Sequence, residues 1–183
     1  MRYLIVCDFA LTFVGGAQSA LLRQAEALLA EGAAVAVLAP DVAKAKLSDG
    51  IRRIEPPEAK TVPGLFMPLY RNHAKHREFA SRTIEDFKPD AIITHSEFGL
   101  VAAFTQAARS LGVRSIHIVH TFMWHAPITT APLAPIATWV FKFVTNLKPP
   151  RIKLATNPMD SALRNMTLAA CLNADVTISP SRH

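Results

Sequence analysis

The sequence predicts an α/β domain built as a three-layer, doubly wound parallel sheet, and three observations predict it. Short apolar runs recur along the chain, each apolar at nearly every position, as strands buried on both faces must be. Between them lie longer stretches whose apolar residues fall at helical spacing. Glycines close two of those stretches just before the next run. Strands that alternate with helices pair in parallel through right-handed crossovers, and that winds the sheet.

Residues 3–7 are the first strand, followed by a loop over 8–14 and Gly15-Gly16. From Ala17 the period becomes helical: Ala17, Ala20, Leu21, Ala25, Leu28 and Leu29 fall on one broad face. Gly32 sits where a residue of positive φ ends a helix. Residues 34–39 form the second strand, closed by Pro40, and a short third fits over 51–54. After the Lys88-Pro89 turn, 90–95 is a strand, 99–111 a helix stopped by Gly112, and 115–120 the next strand. Residues 175–179 are the last.

Two stretches break this rhythm. Residues 56–67 are a Pro-rich loop leading into a basic patch, 71–77, which opens a helix to about Phe87. Residues 127–150 are a Pro-punctuated, irregular insertion around an apolar-aromatic segment, 136–144. That segment is too short to span a bilayer and suits a core helix or an interfacial one.

Half of the 183 residues are hydrophobic. A chain of that length buries roughly 70 % of its unfolded surface, so one domain over 1–183 is expected. Its proline and glycine content is ordinary, which excludes disordered and fibrous classes. Cys7 and Cys171 lie far apart in apolar contexts and read as reduced thiols. Residues 1–7 lack the apolar length and cleavage site of a secretory signal, so a cytoplasmic protein is expected. The net charge of +6 is concentrated: 98–159 carries Arg109, Arg114, Lys142, Lys148, Arg151 and Lys153 and no acid. Such a field favours an anionic partner, unless the cations merely solubilise an apolar segment. No nucleic-acid recognition module accompanies the charge, and no nucleic-acid partner is expected.

Ligands of open α/β sheets bind outside the carboxyl ends of the strands. The candidates there are residues 8–16, Pro40-Asp41, His95-Ser96, 120–125 and 179–181. Gly15-Gly16 at a helix start lets backbone N–H groups approach a diphosphate, or simply satisfies a turn. The dinucleotide spacing G-x-G-x-x-G is absent, which disfavours a dehydrogenase. His120 ends an apolar strand, where it can bond a sugar hydroxyl or move a proton, or lie idle at the surface. Trp124 suits packing against a sugar ring, an apolar chain or the core. His117 alternates with Ile116 and Ile118 and reads as packing or surface. The spacing of His95, His117 and His120 matches no compact metal motif, so no metal or other cofactor is expected.

The stretch from Phe13 through Gly15-Gly16-Ala17-Gln18, with its Ala/Leu helix, Glu31-Gly32 and the strand ending Ala39-Pro40, resembles family 4 of the GT-B glycosyltransferases. Lys88-Pro89-Asp90 with its strand and His95-Ser96 is similar to that family's second segment. Ile116 to Thr121 resembles the strand ending in its cleft histidine, and Ala174-Asp175 with its strand and Ser179-Pro180-Ser181 a fourth segment. The matches occur in family order across almost the whole chain.

The resemblance implies a Rossmann-like, N-terminal half of a GT-B fold, acting as a hexosyltransferase-type enzyme. Gly15 and Gly16 would lie near the donor diphosphate, His120 would be the catalytic residue reaching the donor sugar, and His95, Ser96 and Trp124 would line the acceptor side. The partners implied are a nucleotide-sugar donor and a cell-envelope or lipid-linked glycan acceptor. A peripheral contact with the inner face of a membrane would use Arg71, Lys75, Arg77, Lys142, Lys148, Arg151 and Lys153 beside Trp139, Phe141 and Phe143. The family's Glu-x7-Glu segment is missing. Glu78 and Asp86 share its spacing but lie on the wrong helix. The C-terminal donor-binding domain is therefore expected to be absent and the chain alone inactive, because a one-walled cleft cannot position both substrates. A non-catalytic Rossmann-like binding module is the alternative.

Overall fold

The computed structural model describes residues 1–12, 15–57, 60–61, 68–120 and 126–179. Six parallel strands form its sheet: β1 (Arg2–Val6), β2 (Ala34–Leu38), β3 (Arg52–Ile54), β6 (Ala91–Thr94), β7 (Arg114–Ile118) and β8 (Val176–Ile178). Their spatial order is β3-β2-β1-β6-β7-β8, the doubly wound order of a Rossmann-like sheet. Two short strands, β4 (Lys60–Thr61) and β5 (Pro68–Leu69), pair antiparallel apart from it.

Alternation along the strands splits the core into two faces. Leu4, Val6, Ala36, Leu38 and Ile92 pack on one side against α2 (Ala74–Phe87) and α3 (Gly99–Ser110). Ile5, Val35, Val37, Ile93 and Ile118 pack on the other, where Leu21 and Ala25 of α1 (Gly16–Ala30) cover them. These are the three layers expected. Gly32 and Gly112 have φ of +80° and +69°, so both helix stops work as the sequence suggests.

The second half departs from the sequence expectation. The insertion over 127–150 is more regular than read: a 3-10 turn leads into α4 (Ala134–Thr145). A helix that periodicity did not reveal, α5 (Pro158–Asn173), follows. Asn157 caps it, its side chain accepting from the Met159 N–H at 3.0 Å, with Pro158 in the first turn. Phe141 of α4 packs with Met166 and Ala169 of α5 in a small separate core. Among the described residues, no helix is long and apolar enough to cross a membrane. Cys7 is buried and Cys171 half-buried, and both are free thiols.

Candidate functional site

The strand order reverses between β1 and β6, and the carboxyl ends of the strands there form the edge where ligands of such sheets sit. Four segments share that edge: the loop after β1, the start of α1, the residues after β6 and those after β7.

Asp8, after β1, is fully buried. Phe98, which precedes α3, offers that helix no side-chain cap. Asp8 supplies one from across the sheet. Its Oδ1 accepts from the Leu100 N–H at 2.7 Å, and its Oδ2 accepts from Ser96 Oγ at 2.7 Å and the Phe98 N–H at 3.2 Å. Ser96 Oγ accepts in turn from the Asp8 N–H at 2.8 Å. Burial pushes the carboxyl up to about 6, while these hydrogen bonds pull it back.

Beside this cap, His95 and His120 stack with ring centroids 4.9 Å apart, and His95 Nδ1 lies 2.8 Å from His120 Nε2. His95 Nε2 lies 2.7 Å from Gln24 Oε1 on α1. An amide oxygen only accepts, so His95 Nε2 carries the proton and His95 Nδ1 accepts from the His120 Nε2–H. That leaves the other nitrogen of His120, Nδ1, with a lone pair. His95 is 1 % exposed, and burial, with His120 next, holds it down at about 3. Burial also lowers His120, which is half-buried. Both rings are neutral near pH 7. Half-buried His120 can accept a hydrogen bond from a hydroxyl, and that is the chemistry of a general base or a sugar contact.

At the start of α1, Gly15 has an extended φ of −107° and offers no side-chain cap. A Cβ on Gly15 would meet Gln18 Oε1 at 2.6 Å, whereas one on Gly16 would meet nothing within 4 Å. Neither φ nor packing among the described residues demands glycine at position 16. Its place at a helix N-terminus is one where backbone N–H groups favour an anion.

A family model for Glycosyltransferase Family 4 matches residues 14–183. The chain belongs to Glycosyltransferase Family 4. It is similar in structure to MurG of Acinetobacter baumannii, with 19% identity, a TM-score of 0.44, and coverage of 74% of this chain and 39% of that one. It is similar also to LpCGTa, solved in complex with UDP, with 12% identity, a TM-score of 0.49, and coverage of 99% and 46%. A third is UGT73P12 of Glycyrrhiza uralensis, at 12% identity and TM-score 0.49, covering 99% and 44%. This family member thus spans less than half the length of each of the three. No curated protein matches it.

The structure brings Gly15, Gly16, His95, Ser96 and His120 of the family member to one sheet edge, while Trp124 lies outside the described residues. Ser96 is fully buried and its hydroxyl is committed to Asp8, and His95 stands behind His120 rather than on the surface. His117 is buried, with Nδ1 2.9 Å from Thr94 Oγ1 and Nε2 3.8 Å from Glu97 Oε1. Lys75, Lys142, Lys148, Arg151 and Lys153 are exposed. Arg71 lies over the Phe143 ring at 3.8 Å, and half-buried Arg77 donates to the Asn72 carbonyl at 3.3 Å. Sequence reasoning missed Gln24 and the capping role of Asp8. Gln24 had a signal: it is a polar residue inside the Leu21, Ala25, Leu28 stripe of α1.

Proposed function

We propose that this chain is the acceptor-side half of a glycosyltransferase that moves a hexosyl group from a nucleotide-sugar to an acceptor hydroxyl. The observation that carries the reading is the shared edge. A helix N-terminus at Gly15-Gly16 that carries no side-chain cap and a half-buried neutral histidine, His120, lie at the carboxyl ends of parallel strands. The backbone amides of Gly15 and Gly16 would stabilise the diphosphate leaving group, as a helix start does for anions. His120 Nδ1 would accept a hydrogen bond from a sugar hydroxyl at the reacting centre. Ser96 would hold the edge in shape through Asp8, and Trp124 would complete the acceptor side.

Titration of the isotope-labelled chain with nucleoside diphosphates and their sugar conjugates, followed by NMR, tests this. The Gly15 and Gly16 amides and the His120 ring should shift together and saturably for at least one nucleotide, and Gly16→Val should abolish the shifts. This edge is one wall of the donor cleft, so the shifts should strengthen when a family 4 donor-binding domain is joined to the chain. No saturable change at that edge in either form, with any nucleotide, would overturn the reading.

The acceptor in this proposal is a cell-envelope or lipid-linked glycan, met at the inner face of a membrane. Supporting it is a basic-aromatic face. Arg71 covers Phe143, and Phe143 stacks on Trp139 with centroids 5.6 Å apart. Ile136 and Val140 are exposed alongside. Attraction to an anionic surface is worth about 1 kcal/mol per basic residue. Co-sedimentation with anionic vesicles should therefore exceed that with neutral ones and fall as salt rises. Equal, salt-independent pelleting would contradict the membrane contact.

A further inference from the structure

Between α4, the segment 149–156 and the first two turns of α5 lies a groove of about 780 Å³. That is within the roughly 300–1,000 Å³ typical of small-molecule sites. We propose that it binds one anionic amphiphile, a phosphate-type headgroup carrying an apolar chain.

The groove is built rather than incidental. Its outer wall has no regular secondary structure, yet α5 holds it in place. Buried Asn165 donates through Nδ2 to the Ile152 carbonyl at 2.8 Å, and Ser161 Oγ donates to the same carbonyl at 3.1 Å. Ser161 Oγ accepts from the Leu154 N–H at 3.0 Å, and Arg164 donates to the Leu154 carbonyl at 2.6 Å. Pro149, Pro150 and Pro158 fix φ at both ends and need no hydrogen-bond partner for a backbone N–H. A wall fixed in advance loses little entropy when a ligand enters.

Its lining selects the ligand. Alanines and prolines make an apolar floor, and Lys142, Arg151 and Lys153 stand in the walls with no acidic side chain among the lining residues. Among the described residues, none of these three cations makes an ion pair. Arg151 and Lys153 both line this one groove, with Lys142 across it on α4. Charge complementarity calls for an anion there. The apolar floor, with Trp139 63 % exposed at its rim, calls for a chain as well. Free phosphate would leave that apolar surface in water, and a neutral lipid would leave the cations uncompensated.

The groove also lies at the catalytic edge. α5 must run back across the sheet to feed parallel β8, so its first turns stand at the carboxyl ends of the strands. The chain beyond His120 is tied there: the Ala126 N–H donates to Asp160 Oδ1 at 2.8 Å, and Asn157 Nδ2 donates to the Ala126 carbonyl at 3.1 Å. Naming the bound amphiphile as the acceptor rests on the transfer reading above, whereas its binding does not.

Calorimetry with dodecyl phosphate below its micelle concentration tests the proposal, with dodecyl maltoside, inorganic phosphate and anionic vesicles as the other arms. Saturable 1:1 binding of dodecyl phosphate is expected, at least tenfold tighter than either soluble control. Lys142→Glu with Lys153→Glu, both at exposed positions, should weaken it at least tenfold. Thr138→Trp should fill the groove and block it, and Lys46→Glu, far along the chain, should change nothing. Absence of saturable binding, equal affinity for the uncharged detergent, or indifference to both groove variants would overturn it. So would binding to vesicles alone that survives Thr138→Trp, which would mark a membrane-surface patch. A chain that binds dodecyl phosphate but shows no nucleotide-induced shift at Gly16, alone or joined to a family 4 donor-binding domain, keeps the groove and loses the transferase reading.

Discussion

Lowering the pH from 7.5 to 4.5 should cost the domain several kcal/mol of stability, a large part of the roughly 5–15 kcal/mol that folded domains possess. Two buried histidines set the sign. Burial, followed by the neighbouring His120, lowers His95 to about 3 and His117 to about 4, from an unfolded value of 6.5. A group depressed on folding contributes stability that is fully present above its unfolded pKa. That contribution is lost as the pH falls toward the folded pKa, because the unfolded chain takes up the proton first. The loss therefore begins near pH 6.5 and deepens toward 4, at about 1.4 kcal/mol for each unit of depression traversed.

Asp8 works in the opposite direction. Its folded pKa is raised to about 6 from 3.8, so acidification from 6 toward 4 favours the fold. Its displacement is the smallest of the three, and the histidines win. The midpoint of urea unfolding should fall steadily between pH 6.5 and 4.5. In a His95→Gln, His117→Gln double variant it should change far less. A flat profile in the parent chain, or an unchanged slope in the double variant, would refute this account. The same depression keeps the His95–His120 pair uncharged at neutral pH, so the edge meets a ligand with neutral imidazoles.

How much of this was legible depended on which residues face the core. The strands declared themselves because residues 4–6 of β1, 35–38 of β2 and 91–93 of β6 are buried on both faces, so those runs are apolar without interruption. Helix α3 was equally plain, since its buried residues run from Gly99 to Ala108. α5 was hidden for the converse reason. Its buried face includes Asn165, Thr167 and Asn173, and these polar residues break the apolar period. Its start was nonetheless written in the sequence, because Asn157-Pro158 followed by Asp160 is a helix-opening combination. At the candidate site, strand ends pointed to His95 and His120. What could not be read was the pairing of Gln24 with His95, 71 residues away, or of Asp8 with Leu100, 92 residues away. Contacts at that separation follow from the sheet order, which only the folded chain displays.

Gly99→Ala should destabilise the domain by at least about 3 kcal/mol, beyond the usual cost of one added methylene in a packed core. The reason is backbone rather than side chain. A Cβ at Gly99 would lie 2.1 Å from the Tyr70 carbonyl oxygen and 2.9 Å from that of Val144. Neither carbonyl can retreat easily. Val144 O accepts from the Asn72 N–H at 2.6 Å, and buried Asn72 donates through Nδ2 to Gln106 Oε1 at 2.9 Å and to the Thr145 carbonyl at 2.8 Å. These bonds join the lead-in to α2, the middle of α3 and the end of α4 into one knot. If α3 moves instead, its Leu100 N–H leaves the Asp8 carboxylate, and a buried charge loses a hydrogen bond worth about 1.5–3 kcal/mol. At roughly 2–4 °C per kcal/mol for a chain of this size, thermal unfolding should move down by about 6–12 °C or more. Gly16→Ala is the matched control, because the same methyl there enters open space and should hold stability or raise it by up to about 1 kcal/mol. Equal melting temperatures for the two variants would mean that the α3 start is not wedged between those carbonyls, and the packing that aligns Asp8, Ser96 and His95 at the sheet edge would need another explanation.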